Sequence, residues 1–98
     1  MENNIEKFTT TAELLKTLGH PVRLCILKGI LTTGGCNVTH MTDCLNLPQS
    51  TISHHIQKLK SAGIIEGERK GLEITYRLVH EKARQIIESI DLQEDKNE

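Results

Sequence analysis

The apolar residues of this chain change their period once, at Gly63, and that change limits what it can fold into. Upstream, Ile52, Ile56 and Leu59 recur at i, i+4 and i+7, the stripe of an amphipathic helix. Downstream, Ile64-Ile65 opens an extended segment, Glu68-Arg69-Lys70-Gly71 is a polar turn, and Ile74, Tyr76 and Leu78 alternate with polar residues. That alternation is the pattern of a two-stranded hairpin. A sequence that switches from helical to strand spacing across one glycine joins a helix directly to a hairpin.

The remaining segments read as helices. Thr10-Thr11-Ala12-Glu13 fits a capping box, with Thr10 as N-cap and Glu13 at the third position. Leu14, Leu15 and Leu18 follow at helical spacing, Gly19 ends the segment, and Ile5 and Phe8 extend its apolar face. His20-Pro21 starts a second helix, in which Val22, Leu24, Ile26, Leu27, Ile30 and Leu31 leave little polar circumference. That helix is expected at the centre of the fold, and Thr32-Thr33-Gly34-Gly35 stops it. Asn37 is the expected N-cap of a short third helix carrying Val38, Met41 and Leu45. Asn46-Leu47-Pro48 breaks the chain, and the next helix runs from about Pro48 to Ala62. A last amphipathic helix carries Ala83, Ile86, Ile87 and Ile90, and the acidic tail after about residue 92 is expected to fray.

The expected fold is mainly α with a small β-hairpin: a winged helix-turn-helix of about five helices plus a two-stranded wing. With 98 residues the chain has room for one domain, spanning 1–98. The 37% hydrophobic content is enough for a core, and one Phe and one Tyr leave that core to Leu, Ile and Val. So few rings also exclude a base-stacking platform for single-stranded nucleic acid. No apolar run approaches the ~20 residues needed to span a bilayer. The opening Met-Glu-Asn-Asn-Ile-Glu-Lys lacks the basic and apolar regions of a signal peptide. The expected location is the cytoplasm, and three cysteines, an odd number, suit thiols rather than a secreted disulfide framework.

The helix before the hairpin carries the chemistry. Gln49, Ser50, Ser53, His54 and Gln57 lie opposite its apolar stripe, and no acid occurs between Gln49 and Ser61. A face made only for solubility would be richer in Glu and Lys. Short or planar hydrogen-bonding groups near a helix N-terminus suit base edges in a major groove. Thr51, Lys58, Lys60, Arg69 and Lys70 are the expected phosphate contacts, the last two at the hairpin tip. The net charge of −1 conceals a gradient. Lys58, Lys60, Arg69, Lys70 and Arg77 face only Glu66, Glu68 and Glu73 within residues 49–78, while acids dominate the ends. A local basic face binds phosphate even on a nearly neutral chain.

Four stretches together carry a family resemblance: Leu18-Gly-His-Pro-Val-Arg-Leu-Cys-Ile-Leu27, Leu47-Pro-Gln-Ser-Thr-Ile-Ser-His-His-Ile56, Leu59-Lys-Ser-Ala-Gly-Ile-Ile65, and Gly71 through Leu78. Over about residues 10 to 90 the chain resembles the ArsR/SmtB family of winged-helix repressors. Asn37-Val-Thr, Leu47-Pro-Gln-Ser-Thr and Gly71-Leu-Glu-Ile are further similar to its PagR-type subgroup. The resemblance implies a homodimer that represses transcription from a palindromic operator in double-stranded DNA, with the first and last helices forming the dimer interface. The residues point the same way. The faces carrying Ile5, Phe8 and Ala12, and Ala83, Ile86, Ile87 and Ile90, both need covering, and they are the expected interface.

What the repressor would sense is left open among three readings. Cys25, Cys36 and Cys44 are candidates for thiol oxidation. Cys36, close to a helix N-terminus, is the expected sensor, and Cys25, between Leu24 and Ile26, the expected small buried hydrophobe. Cys36, His40 and Cys44 could hold a thiophilic metal, although the closely spaced cysteine pair and the last-helix histidine pair of family metal sites are missing. A regulator controlled by its own abundance needs no inducer. His20 and His80 are expected as helix starts, and His55 as a structural residue. No nucleophile triad, phosphate loop or Cys-x-x-Cys occurs, so neither an enzyme nor a cofactor is expected. The alternative of another class is a winged helix that binds a protein partner in place of DNA.

Overall fold

The computed structural model describes residues 4–90. In chain order the elements are α1 (Glu6–Leu18), α2 (Pro21–Thr33), α3 (Val38–Leu45), α4 (Gln49–Ser61), β1 (Ile65–Lys70), β2 (Glu73–Leu78) and α5 (Glu81–Ser89). The five helices and the antiparallel β1–β2 hairpin match the expected winged helix-turn-helix. The acidic tail after about residue 92 lies outside the described residues.

α2 is the centre. Its Ile26, Leu27 and Ile30 are buried, Val22, Leu24 and Leu31 pack on the same core, and α4, α5 and β2 all lie against it. The helix is fixed at both ends by local chemistry. His20 is extended and its Nδ1 accepts from the Val22 amide at 3.1 Å, Pro21 occupies the first turn, and Gly34 closes the last turn at φ +85°. The Asn37 side chain caps α3 by accepting from the His40 amide at 2.8 Å. Asn46, left-handed at φ 56°, ends α3, and two residues later Pro48 is the N-cap of α4.

The wing is not a free hairpin. Its register pairs Ile65 with Leu78 and Lys70 with Glu73, leaving Gly71-Leu72 as the turn. Cys36, just before α3, adds a bridge to β2: its amide donates to the Tyr76 carbonyl at 3.1 Å, and the Tyr76 amide donates back at 2.7 Å. The wing base is thereby bonded to the segment that opens the helix-turn-helix. Gly67 lets the strands close over Tyr76, because a Cβ there would stand 2.9 Å from the Tyr76 ring.

Three expectations need correction. Thr10 is not an N-cap, since α1 begins a full turn earlier at Glu6 and Thr10 lies within it. The helix-forming Glu6 and Lys7 and the apolar spacing of Ile5, Phe8 and Ala12 carry the helix through the threonines. Ala83 and Ile87 have no exposed surface and belong to the protomer's own core rather than to an interface. α5 lies on α2 with that edge down, and Lys28 of α2 clamps its end, Nζ donating to the carbonyls of Ile87 at 3.3 Å and Ile90 at 3.1 Å. The thiols are also reversed: Cys36 is buried and Cys25 exposed. The backbone bridge to Tyr76 turns Cys36 inward, whereas Cys25 lies on the rim of α2 beside α5.

Candidate nucleic-acid interface

α4 presents two faces. Ile52, His55, Ile56 and Leu59 are buried against the body of the protein. Gln49, Ser50, Ser53, His54, Gln57, Lys58 and Lys60 are exposed, and Thr51 is half-buried beside the first turn. The structure therefore gathers the residues picked from the sequence onto one outward surface. No side chain caps α4 and no acid occupies its first turn. Its leading amides carry partial positive charge that no carboxylate of its own first turn neutralises, an arrangement suited to a phosphate oxygen.

α3 packs across α4 and holds it at the protein surface, as the first helix of such a pair does. Further along the chain, the wing sets Arg69 and Lys70 at its exposed end. Its acids do not cancel them evenly. Glu68 is hydrogen-bonded and ion-paired to Arg77, and that contact, with the charges of Arg77 and Lys70, holds its carboxyl below the ordinary range. Glu73 Oε1 accepts from Asn37 Nδ2 at 3.3 Å. Arg69 is occupied only by its own turn, with Nη1 3.4 Å from the Gly71 carbonyl. The wing tip thus keeps two cations beside acids that are engaged elsewhere.

Sequence reasoning missed Leu72, which is 97% exposed at the tip between Gly71 and Glu73. The signal was an aliphatic residue inside an otherwise polar turn. It also missed Leu15, 50% exposed on α1 alongside Ile5 at 74% and Phe8 at 65%. With exposed Ala12 these make an apolar face on α1 that is left open among the described residues. Ile86 and Ile90 are half-buried.

The proposed metal set does not come together. Cys44 Sγ lies 3.5 Å from His40 Nε2 on the exposed side of α3, but Cys36 is buried against the wing, its Sγ 3.5 Å from Thr33 Oγ1. Among the described residues no group of three or more His, Cys, Asp or Glu side chains could hold a metal ion. Cys25 instead lines an apolar cavity of about 520 Å³ between α2 and α5, with Leu24, Lys28, Ile87 and Ile90. No helix among the described residues is long and apolar enough to cross a membrane.

Residues 18–68 match a family described as a helix-turn-helix domain. The chain is 40% identical over 80 residues to the transcriptional repressor PagR of Bacillus anthracis, covering 82% of this chain and 80% of PagR. It is 39% identical over 87 residues to an HTH-type transcriptional regulator of Methanocaldococcus jannaschii, covering 89% of this chain and 98% of that one. The crystal structure of PagR superposes with a TM-score of 0.80 at 36% identity, covering 90% of this chain and all of that one (100%). That of the repressor BigR from Xylella fastidiosa gives 0.76 at 36% identity, covering 91% of each chain. These relatives are transcriptional regulators, and the two superposed structures share this chain's fold. The chain belongs to the ArsR/SmtB family of winged-helix transcriptional repressors, and within it is PagR-like.

Proposed function

We propose that this repressor works as a homodimer in the cytoplasm, its two α4 helices entering successive major grooves of a palindromic operator. Half-sites about 34 Å apart, one DNA turn, fit such a dimer. The observation that carries this reading is the acid-free outer face of α4, which continues into the cations of the wing. Gln49, Ser50, Ser53, His54 and Gln57 are assigned to base edges, and Thr51, Lys58, Lys60, Arg69 and Lys70 to phosphates. Dimerisation rests on the uncovered Ile5, Phe8, Ala12 and Leu15 face of α1, with the half-buried Ile86 and Ile90 of α5 as the second contributor. Exposed aliphatic and aromatic side chains in one contiguous patch mark an association surface.

The deciding experiment is selection of bound duplexes from a random library, followed by fluorescence anisotropy on the recovered sequence. A palindromic sequence with tight, salt-dependent binding is expected, and failure to enrich any sequence would favour a protein partner over DNA. On that duplex, replacing Ser53 and His54 together by Ala should weaken binding about ten- to a hundredfold, with unchanged circular dichroism, because a specific hydrogen-bonded pairing with a base contributes ~1–3 kcal/mol. Equal affinity would remove α4 from base reading. Arg69→Ala should weaken all sequences alike and reduce the salt slope by about 0.9 for each phosphate no longer neutralised. An unchanged slope would take the wing tip off the phosphates. Phe8→Asp should raise the dimer dissociation constant at least about tenfold in sedimentation equilibrium, since a buried Phe contributes ~1.5–3 kcal/mol. A dimer of undiminished stability would place the interface elsewhere.

Thiol regulation belongs on this reading to the exposed thiols, Cys25 and Cys44. Cys25 is accessible and sits against α5, so its modification reaches the helix assigned to the dimer, whereas Cys36 is sealed by the Tyr76 bridge. A mild thiol oxidant should lower operator affinity of the wild type and leave Cys25→Ser unaffected. Equal loss in both would move the sensing to Cys44, and no loss in either would dismiss it.

A further inference from the structure

Beneath the outward face of α4 lies a polar pair, Arg23 and His55, that the operator contacts do not use. His55 is buried on the inner side of α4. Its Nδ1 accepts from Nε of Arg23, on α2, at 3.2 Å. The same guanidinium donates through Nη1 to the Thr17 carbonyl of α1 at 2.9 Å. Arg23 therefore ties α1, α2 and α4 together through one planar group. The His20 ring stands 4.4 Å from that of His55, and the His54 ring meets it edge-on at 5.4 Å. Beside them Glu13 and Lys16 of α1 and Lys58 of α4 line an open cleft with His20 and Arg23.

The geometry fixes a protonation state. Arginine is a donor only, so the nitrogen facing it must carry a lone pair. His55 is thus the neutral tautomer with its proton on Nε2. A second proton on His55 would set an N–H against the Arg23 N–H and place two cations in contact.

We propose that Arg23 and His55 form a pH-sensitive positioning device for the recognition helix. It holds α4 against α1 and α2 while the imidazole is neutral and releases it on protonation, so that operator affinity falls on acidification. The proposal rests on the assignment of α4 as the reading helix. Every base-edge candidate is borne on that helix, and His54 adjoins His55 directly. A loosened α4 would disturb all of these contacts at once.

The electrostatics agree in sign. Burial, then the charges of His20, Arg23 and His54, push the His55 pKa below its ordinary 6.5. Among the described residues, Glu13, Lys16 and Lys58 in the adjoining cleft and the charges of α3 and β1 are not among the causes of that lowering. Because the folded pKa is depressed, the folded chain binds fewer protons at this site than the unfolded chain does. The stabilisation is complete above 6.5 and is lost as pH falls through the lowered value. One effect runs the other way. His54 faces outward and, when protonated, adds a cation to the DNA surface, which alone would tighten binding. A fall in affinity is therefore a result that simple charge gain does not produce.

The test uses the full chain and the duplex recovered by selection, at constant ionic strength. From about pH 7.5 to about pH 5.5, wild-type affinity should fall about tenfold or more. His55→Asn keeps an acceptor oxygen near the position of Nδ1 but does not titrate, and should hold its affinity within about twofold. Arg23→Gln should bind weakly at both pH values with no further loss. Flat or rising wild-type affinity would overturn the proposal. So would an equal loss in His55→Asn, which would assign the sensitivity to the capping histidines His20 and His80. Long-range nitrogen NMR on the free wild-type protein decides independently of DNA and of whether a variant folds. His55 Nδ1 should be unprotonated near neutrality, and α4 amide shifts should follow its titration. A protonated Nδ1, or α4 amides that stay still, would refute the device even if no operator were found.

Discussion

α2 is apolar around most of its circumference, and in water such a helix has to be covered from nearly every side. That requirement places the other elements. α4 lies on one side, with His55, Ile56 and Leu59 buried on its inner face, α5 on another through Ala83 and Ile87, and β2 closes a third through Leu78. Among the described residues the rim toward Cys25 stays open, beside the apolar cavity under α5. The orientation of α4 is therefore a consequence of core packing. The inner stripe of α4 is spent on the core, and the polar residues opposite it have nowhere to point but out.

The wing depends on the same core by a second route. Two-stranded hairpins are marginal on their own in water. Here the strands gain the Cys36–Tyr76 bridge, the buried Tyr76 and Leu78, and the Gly67 opening that lets the ring lie against the strand. This bridge fixes the wing relative to Asn37 and the start of α3, which in turn packs on α4. Recognition helix and wing tip are thus held on a common frame, as any protein must hold them if both are to meet one duplex.

Much of this was legible in the sequence, because the signals were local. The change of period at Gly63, the caps at His20 and Asn37, and the acid-free face of α4 depend on residues within a few positions of one another. What was not legible depends on long-range contacts. Cys36 is buried by a strand forty residues later (the bridge to Tyr76), and no local pattern announces that pairing. Ala83 and Ile87 share an apolar face with Ile86 and Ile90, but only the crossing of α5 over α2 decides which edge is core. Thr10 shows the opposite failure: a genuine local signal was overridden because the helix could start earlier and continue through it. The role of Arg23 was equally hidden. Its partners are the Thr17 carbonyl nearby and His55, thirty-two positions away.

A protein with net charge −1 that reads DNA has to solve a problem of distribution. At physiological salt the Debye length is about 8 Å, so charges farther apart than that hardly act on each other's sites. Acids farther than that from α4 and the wing therefore do not oppose binding. Among those closer are the acids on the hairpin itself. Glu68 is bound to Arg77 and Glu73 to Asn37, which leaves Arg69 and Lys70 to set the potential at the tip. Surface ion pairs contribute little to stability. On this wing the Glu68–Arg77 pair serves a different end, because it takes a carboxylate that would repel phosphate and turns it toward a neighbouring strand. On the proposed reading, affinity for DNA is a property of one face, and a near-neutral total charge disfavours unspecific binding of nucleic acid by the remainder of the surface.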